Sequence, residues 1–517
     1  MGRHKDLICD ECGFPFQVGA SEEVDKESGR PTGQVVIGGT CPNCRHTMAV
    51  GPNSDTPHPS YKGDRILVAK YPYHFGEPDR WDVIVFKYPG AAATNFIKRL
   101  VGLPNETVRI HHGDIWIRDD DGDDPEFRIA RKPPKKILAM MQPVYDNDHH
   151  AEVLLAAGWP LRWSVDEASL GECTPLENDT AFQCDSQTGE VWLRYRHIVP
   201  DWSDWEQALQ GRISPNSPKA RLISDFAAYN TNDSVRLSGY QGDLLGAVRP
   251  APPRGDQLGL NWVGDLVVEC EAEVVSENGT LLFDLVEGGR HFVCSVDIAG
   301  GEAVFTIDGE EVGRAATSLD GPGTYRLRFA NVDDQLVLWV DGKPYTVPYD
   351  TLPWRIPQLD DRDRPVRLGA RKANVVFRHL KVFRDIYYIA HLRATQSPMY
   401  DFDFAKSPYR HLVPGPGAGD RFREMVLEVM ANPDYWNTFA EGNTLEFTLK
   451  DDQYFVLGDN SPQSEDGRFW RDQHYVDRNL LIGKAIAVIW PHSLDHIPGT
   501  NIPIFLFPNF PRMRLVR

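Results

Sequence analysis

Three side chains near the end of the chain have the types and the spacing of a polar catalytic site. Ser464, Asp466 and Arg468 stand at alternate positions of the stretch YFVLGDNSPQSEDGRFW, residues 454–470. Alternate residues of an extended segment point to one face, so a hydroxyl would lie beside a carboxylate and a guanidinium that can pair. Such a hydroxyl can orient or activate a catalytic group. Gly, Asn and Pro also build ordinary loops, so this chemistry requires a partner elsewhere in the chain.

Lys98 is the partner that the sequence offers. In an extended NFIKRL segment, Phe96, Lys98 and Leu100 share one face, so the lysine stands between two apolar neighbours. Burial disfavours the ammonium form and lowers the pKa of a lysine from about 10.4. A neutral lysine can deprotonate a nearby hydroxyl, which gives a Ser/Lys dyad for acyl transfer. The alternative is a lysine that extends along the strand surface to solvent.

Four of the eight cysteines have the spacing of metal ligands. They form two Cys-x-x-Cys pairs, Cys9 with Cys12 and Cys41 with Cys44. Two such knuckles predict a tetrahedral, structural zinc site in a ribbon, and four thiolates indicate a reducing compartment at assembly. The remaining cysteines have no metal spacing and are expected to be core residues; they are Cys173, Cys184, Cys270 and Cys294.

Strands must position these groups, and the sequence contains two sets of them. The segments ILVAK, DVIVFKYP, NFIKRLV and ETVRIHHGDIWI alternate with turns and predict a β-rich core around Lys98. Between about residues 262 and 383, short alternating segments such as DLVVECEAEV predict an antiparallel β-sandwich. Asp308-Gly309 and Asp341-Gly342 predict two tight hairpins in it. The pattern resembles concanavalin-like and laminin-G-like jelly rolls, which implies a glycan or protein ligand, or a spacer role.

Composition limits the partners. The chain has 55 Lys and Arg against 74 Asp and Glu, and this net charge of −19 opposes binding to nucleic acid. Its 517 residues predict two to four domains. The first residues have no apolar signal-peptide core, and the most apolar later stretches, residues 480–490 and 502–511, are interrupted and shorter than the ~18 residues of a membrane span. From composition alone, the expected location is the cytoplasm, with at most peripheral membrane contact.

Several motifs, taken in order, resemble the signature boxes of the type I signal peptidases. They are GDRILVAK, FKYPG, NFIKRLVGLPNETV and GDNSPQSEDGR, within residues 54–117 and 453–491. The resemblance implies an endopeptidase that cleaves signal peptides or similar extended substrates after small residues, and association with a membrane. It implies that Lys98 is the general base, that Ser464 orients it, and that Asp466 and Arg468 form a supporting ion pair. The presenting turn would be Gly458, Asp459 and Asn460.

The nucleophile is the position at which this chain departs from the family pattern. The family uses a serine in Ser-Met-x-Pro shortly before a Gly-Asp pair, whereas the corresponding stretch here is NSDTPHPSYKGD. Ser54 keeps the residue type and the proline offset and is the first candidate, with Thr56 and Ser60 as alternatives. An ordinary linker serine is the competing interpretation of Ser54. A thiolate ribbon also stands where the family has a membrane helix.

The sequence therefore predicts a mainly β protein with a discontinuous signal-peptidase-like core, an inserted antiparallel β-sandwich and a small N-terminal zinc ribbon. The predicted boundaries are 1–50 for the ribbon, 51–234 and 389–517 for the two parts of the core, and 235–388 for the sandwich. The first functional hypothesis is a Ser/Lys endopeptidase acting on a protein or peptide substrate, with no cofactor for catalysis. The second is a catalytically degenerate scaffold that displays a ligand-binding sandwich.

Overall fold

The computed structural model describes most of the chain. The described residues are 2–25, 28–50, 58–120, 126–167, 169–213, 218–236, 249–391, 401–402, 419–470, 472–490, 494–496, 503–507 and 512–516. None of the helices in these ranges has the length and apolar character of a membrane-spanning segment.

The N-terminal ribbon consists of two hairpins. Its strands are β1 (His4–Ile8), β2 (Pro15–Gly19), β3 (Gln34–Thr40) and β4 (Thr47–Ala49). One cysteine pair lies in the turn between β1 and β2, and the other lies between β3 and β4. The four cysteines are buried in a cluster that also contains Leu154, Trp159 and Trp205, so the ribbon packs against the rest of the protein.

The core is assembled from two distant parts of the chain. The first part contains β5 (Arg65–Ala69), α1 (Pro72–Phe75), β6 (Val83–Tyr88), β7 (Ala91–Gly102), β8 (Glu106–His111), β9 (Asp114–Asp119) and β10 (Arg128–Ile129).

Between the two core parts, the chain forms helices and a sandwich. A first group of elements comprises α2 (Pro134–Met140), β11 (Gln142–Asp146), α3 (Glu152–Ala156), β12 (Trp163–Val165), β13 (Glu172–Leu176), β14 (Ala181–Asp185), β15 (Glu190–Tyr195), α4 (Trp202–Ala208) and β16 (Asp233–Arg236). A second group comprises β17 (Leu266–Val274), β18 (Thr280–Glu287), β19 (Arg290–Asp297), β20 (Glu302–Ile307), β21 (Glu310–Ala316), β22 (Gly323–Asn331), β23 (Gln335–Val340), β24 (Lys343–Pro348), α5 (Leu359–Asp363), β25 (Val366–Arg371) and β26 (Asn374–Arg384).

The second part of the core follows a helix and returns to the first. Its elements are α6 (Gly419–Ala431), β27 (Thr444–Thr448), β28 (Gln453–Leu457), β29 (Val476–Asp477), β30 (Leu481–Trp490), β31 (Leu494–His496), β32 (Pro503–Phe507) and β33 (Arg514–Leu515).

Each core sheet combines strands from both parts. One antiparallel sheet has the order β29-β28-β7-β6-β30-β33, with β5 also paired to β30, and the other has the order β10-β9-β8-β27. The central strand β7 therefore lies between β6, its hairpin partner, and β28, which comes from the far end of the chain. This confirms the prediction of a discontinuous β core.

The sandwich consists of two large antiparallel sheets. One has the order β13-β14-β26-β17-β22-β23-β24, with β11 paired to β26, and the other has the order β12-β15-β25-β18-β19-β20-β21. The alternation predicted for β17 is confirmed, because its even-numbered residues from Leu266 to Val274 are at most 2% exposed. Both predicted hairpins are present, and positive φ angles at Asp308, Gly309, Asp341 and Gly342 are those of tight turns that favour glycine.

The sandwich also uses strands that the sequence pattern did not assign to it. β11 to β15, between residues 142 and 195, pair into its two sheets, although the predicted sandwich begins at residue 235. Cys173 and Cys184 face each other across β13 and β14 and form a disulfide. Cys184 is buried in the sandwich core as predicted, and Cys173 is half-buried against that core. The disulfide between them was not predicted, because it depends on the strand register that brings them together. Cys270 and Cys294 are buried free thiols.

Candidate active site

Lys98 and Ser464 meet in the structure. The Lys98 Nζ donates a hydrogen bond of 2.8 Å to the Ser464 Oγ, although the two residues are 366 positions apart. The contact forms because β28 pairs directly with β7 and then ends in the turn that leads to Ser464. The pairing of β28 with β7 thus places Ser464 next to Lys98.

The surroundings of Lys98 are largely apolar. On the same face of β7, Leu100 is fully buried and Phe96 is half-buried, with its ring 5.7 Å from the Lys98 Nζ. Burial lowers the pKa of the Lys98 amine from its usual value of 10.5, while the negative charge of Asp466 opposes the change and the positive charge of Arg468 adds to it. The prediction of an inward-pointing lysine is confirmed. The arrangement favours an amine that can accept a proton.

Asp466 and Arg468 form a fully buried ion pair behind this contact. Two of the five N–H groups of Arg468 donate to the Asp466 carboxylate at 2.9 Å, and the other three donate to oxygens of Ile389 and Ser461 at 2.8 to 2.9 Å. The carboxylate also accepts the backbone N–H of Gly458 at 3.0 Å. Every guanidinium donor is satisfied, so the pair can remain charged without water. It fixes both ends of the segment that carries Ser464.

The turn at residues 458–460 is held by two partners that the sequence pattern did not single out. Arg99, the neighbour of Lys98, makes a bidentate ion pair with Asp459 at 2.7 and 2.6 Å. Asn460 exchanges two side-chain hydrogen bonds with Asn230. The alternation of β7 could have identified Arg99, because it places that side chain on the face opposite Lys98. No local sequence pattern identifies Asn230 as a residue that contacts this turn.

Gly458 is the part of this turn that approaches the dyad most closely. A Cβ atom at this position would lie 2.0 Å from the Ser464 Oγ and 3.4 Å from the Lys98 Nζ. The first distance is far shorter than any real contact, so a side chain here would displace the serine. The turn therefore needs glycine to let the backbone pass beside the hydroxyl.

Of the three candidate nucleophiles, Ser54 and Thr56 lie outside the described residues. Ser60 is half-buried, and both its Oγ and its carbonyl oxygen accept hydrogen bonds of 3.0 Å from the Arg3 guanidinium. The next residue, Tyr61, pairs with His4 of the ribbon. Within the described residues, no hydrogen bond joins Ser60 to Lys98.

The ribbon cysteines have the geometry of a zinc site. The Sγ atoms of Cys9 and Cys44 are 3.5 Å apart, those of Cys12 and Cys41 are 3.7 Å apart, and all four lie within 4.8 Å of one another. A tetrahedral zinc ion with Zn–S bonds of ~2.3 Å would hold its sulfurs about 3.8 Å apart. The four thiols therefore fit zinc, and their burial in a closed set matches a structural metal.

Comparison with known proteins agrees with this architecture. Residues 47–155 and 419–490 match the family described as signal peptidase, peptidase S26. The signal peptidase I of Leptolyngbya laminosa is 39% identical over 79 residues, which cover 14% of this chain and 37% of the relative. That of Pseudomonas aeruginosa is 46% identical over 59 residues, which cover 9% and 21%. The chain thus spans less than half the length of these relatives.

Solved structures match this chain only at low scores. A Bacillus subtilis protein of unknown function with a galectin-like fold covers 47% of this chain and 98% of its own, at 9% identity and a TM-score of 0.25. The carbohydrate-binding module CBM66 from Bacillus subtilis covers 43% and 94%, at 10% identity and a TM-score of 0.24.

The two matched segments contain Lys98, Ser464 and the ion pair of Asp466 with Arg468. They also contribute every strand of the two core sheets except β33. The two segments that match the peptidase S26 family model therefore form the core, and the sandwich lies between them in the sequence.

Proposed function

We propose that this protein is a serine endopeptidase of the signal peptidase type, in which Lys98 is the general base. The observation that carries the proposal is the 2.8 Å contact between the Lys98 Nζ and the Ser464 Oγ in a setting that lowers the lysine pKa. A lysine that is neutral near working pH can take a proton from a hydroxyl and return it later.

The reaction would proceed through an acyl-enzyme. Lys98 accepts the proton of the nucleophile hydroxyl as its oxygen attacks the substrate carbonyl, and it then passes that proton to the leaving amine. Water hydrolyses the ester with the same lysine as base. Ser464 holds the amine in place throughout. Ser54 is the first candidate for the nucleophile, and Thr56 and Ser60 are the alternatives.

We propose signal peptides or similar extended segments with small residues before the cleaved bond as substrates. A strand-rich site can receive such a segment as an added strand, which uses backbone hydrogen bonds for affinity. The family resemblance of the two core segments supports this substrate class. We propose that zinc in the ribbon would have only a structural role, because four cysteine ligands complete its tetrahedral coordination and leave no position for a substrate.

Exposed apolar side chains support contact with a membrane surface. Phe75 and Tyr71 are 90% and 68% exposed, and Leu67 and Ile489 are 45% and 44% exposed. They lie on or beside α1, β5 and β30, which adjoin one another in the core. Grouped apolar side chains of this size are typical of interaction surfaces. We propose that this face meets the lipid or the apolar part of the substrate.

The test is cleavage of a synthetic signal-peptide substrate by the full chain and by Lys98→Met, which keeps the side-chain length and removes the base. We expect the variant to lose at least a hundredfold in kcat/KM. Lys87→Met is the matched control, because Lys87 is an exposed lysine on the neighbouring strand β6, and it should cleave normally. Equal rates for wild type and Lys98→Met would reject the proposal.

The same assay separates the nucleophile candidates. Ser54→Ala, Thr56→Val and Ser60→Ala each remove one hydroxyl, and only the variant that lacks the nucleophile should lose activity to the level of Lys98→Met. A wild-type chain that cleaves no such substrate while folding normally would favour the degenerate scaffold instead.

A further inference from the structure

A cavity away from the Lys98 site lies where three parts of the protein meet. It is lined by residues of the ribbon, of the segment 197–226 and of α6, and its volume is about 630 Å³ including its open mouth. Its walls are largely apolar and include Val199, Leu222, Phe226, Leu258, Val426 and Met430. None of these residues belongs to the proposed peptidase site.

Three arginines line this apolar cavity, in a protein whose net charge is strongly negative. Arg221 is only 7% exposed, and its Nε is buried without a hydrogen-bond partner. The Arg45 guanidinium lies 3.4 Å from the centre of the Phe226 ring, and its Nε is also buried without a partner. Buried donors without acceptors are unfavourable. The Arg221 Nη1 donates to the Val199 carbonyl, so the positive charge in the cavity uses only part of its hydrogen-bonding capacity.

The acidic groups nearby neutralise this charge only in part. Asp201 lines the cavity, and its Oδ2 lies 4.0 Å from the Arg221 Nη2, at the outer limit of an ion pair. Its Oδ1 accepts the backbone N–H of Asp204 at the start of α4. Asp420 lies 3.4 Å from the third arginine, Arg423, but its side chain is 83% exposed, so water screens the pair. Among the described residues, no carboxylate lies within ion-pair distance of Arg45.

We propose that this cavity binds a small organic anion, a carboxylate with a short apolar body. A guanidinium offers paired N–H donors that match a carboxylate, and Arg45, Arg221 and Arg423 supply such donors from three different segments. The apolar body would lie against Leu222, Val426 and their neighbours. Inorganic phosphate could pair with the arginines, but it has no apolar part that would be stabilised by contact with the cavity walls. The composition of the cavity therefore favours a ligand that has both a carboxylate and an apolar body.

Hexanoate is the probe for this site, titrated into the full zinc-loaded chain by calorimetry or ligand-observed NMR. A ligand of this size should bind with a dissociation constant of roughly millimolar order. 1-Hexanol has the same chain without the charge, and inorganic phosphate has charge without the chain. We expect each of them to bind at least tenfold more weakly than hexanoate. Equal binding of hexanol or of phosphate, or no binding of hexanoate, would overturn the proposal.

Two variants locate the binding. Arg45→Gln and Arg423→Gln each should weaken hexanoate at least tenfold, whereas Arg421→Gln, on an exposed position of α6, should leave it unchanged. Arg45 follows a ribbon cysteine, so zinc content and folding of that variant are checked first. Arg423→Gln provides the test if Arg45→Gln does not fold. Unchanged binding in a folded variant would show that hexanoate binds elsewhere. This outcome is independent of the peptidase assay.

Discussion

Asn230 and Asn460 hold each other through both side-chain amides, with hydrogen bonds of 2.8 and 2.7 Å. Asn460 belongs to the turn that leads to Ser464. Asn230 ends a short 3-10 helix, and the following residue, Thr231, accepts the backbone N–H of Thr40 in the ribbon. The ribbon and the turn beside Lys98 are therefore joined by a short series of direct contacts.

This relationship predicts that Asn230 is a positioning residue for the proposed reaction. Asn230→Ala leaves the amide of Asn460 without its partner, which typically costs about 1 to 3 kcal/mol. Because this loss weakens the turn beside Lys98, kcat/KM should drop on the order of tenfold. The double variant that also carries Asn460→Ala should have nearly the same kcat/KM as Asn230→Ala alone. Asn95→Ala, at an exposed position of β7, is the control. A drop in stability without a drop in kcat/KM would assign the pair a purely structural role.

Gly458→Ala should abolish cleavage in a folded protein. The new methyl group would occupy the position of the Ser464 Oγ, only 2.0 Å away, so the serine must leave Lys98. Gly76→Ala is the matched change, because the nearest atom to its Cβ is 3.7 Å away and its φ of −152° is open to any residue. Kinetics and circular dichroism of both variants provide the measurement. Full activity of Gly458→Ala would show that cleavage does not require Ser464 in its observed position.

The pH dependence of cleavage should report Lys98. Its neutral form is the reactive one, and burial lowers its pKa below 10.5, so kcat/KM should rise with pH and level off once the amine has lost its proton. The midpoint should lie below 10.5. Lys98→Arg cannot lose its proton and should be inactive across the whole profile. A profile that is flat, or whose midpoint lies at or above 10.5, would contradict a lysine base.

Cys41→Ser should release the metal and loosen the ribbon. The wild-type chain is expected to bind one zinc ion, since the four thiols form a single closed set. Loss of a ligand should also weaken the contacts that the knuckles make, such as the 3.0 Å hydrogen bond from the Trp205 indole to the Cys44 carbonyl. Zinc content and thermal unfolding test this. Cys270→Ala, a buried thiol of the sandwich, should lower stability without changing the zinc content.

Local patterns predicted the parts of this protein that depend on neighbours along the chain. Alternation identified the buried face of β17, and Asp-Gly pairs identified two hairpins. The position of Lys98 between apolar residues followed from the same two-residue period. Its contact with Ser464 could be anticipated only through the family resemblance, because no local signal joins residues so far apart.

The features that were missed depend on register and on distant packing. The bond between Cys173 and Cys184 needs the pairing of β13 with β14, and short strands between residues 142 and 195 carry too little alternation to show which sheet they join. Asn230 reaches the site from the end of a short 3-10 helix whose sequence carries no distinctive pattern. The stretch with Ser54 and Thr56 lies outside the described residues, so the choice of nucleophile stays a prediction.

The two-part core has a consequence for biosynthesis. β7 remains without β28 until the ribosome has added the second core segment, more than three hundred residues later. Closing a flexible loop of this length costs roughly 5 kcal/mol in chain entropy, beyond a constant term. A sandwich that has already folded shortens the effective loop. Assembly of the Lys98 site should therefore be a late event, and nascent chains that stop before residue 440 should carry a folded sandwich beside an incomplete core.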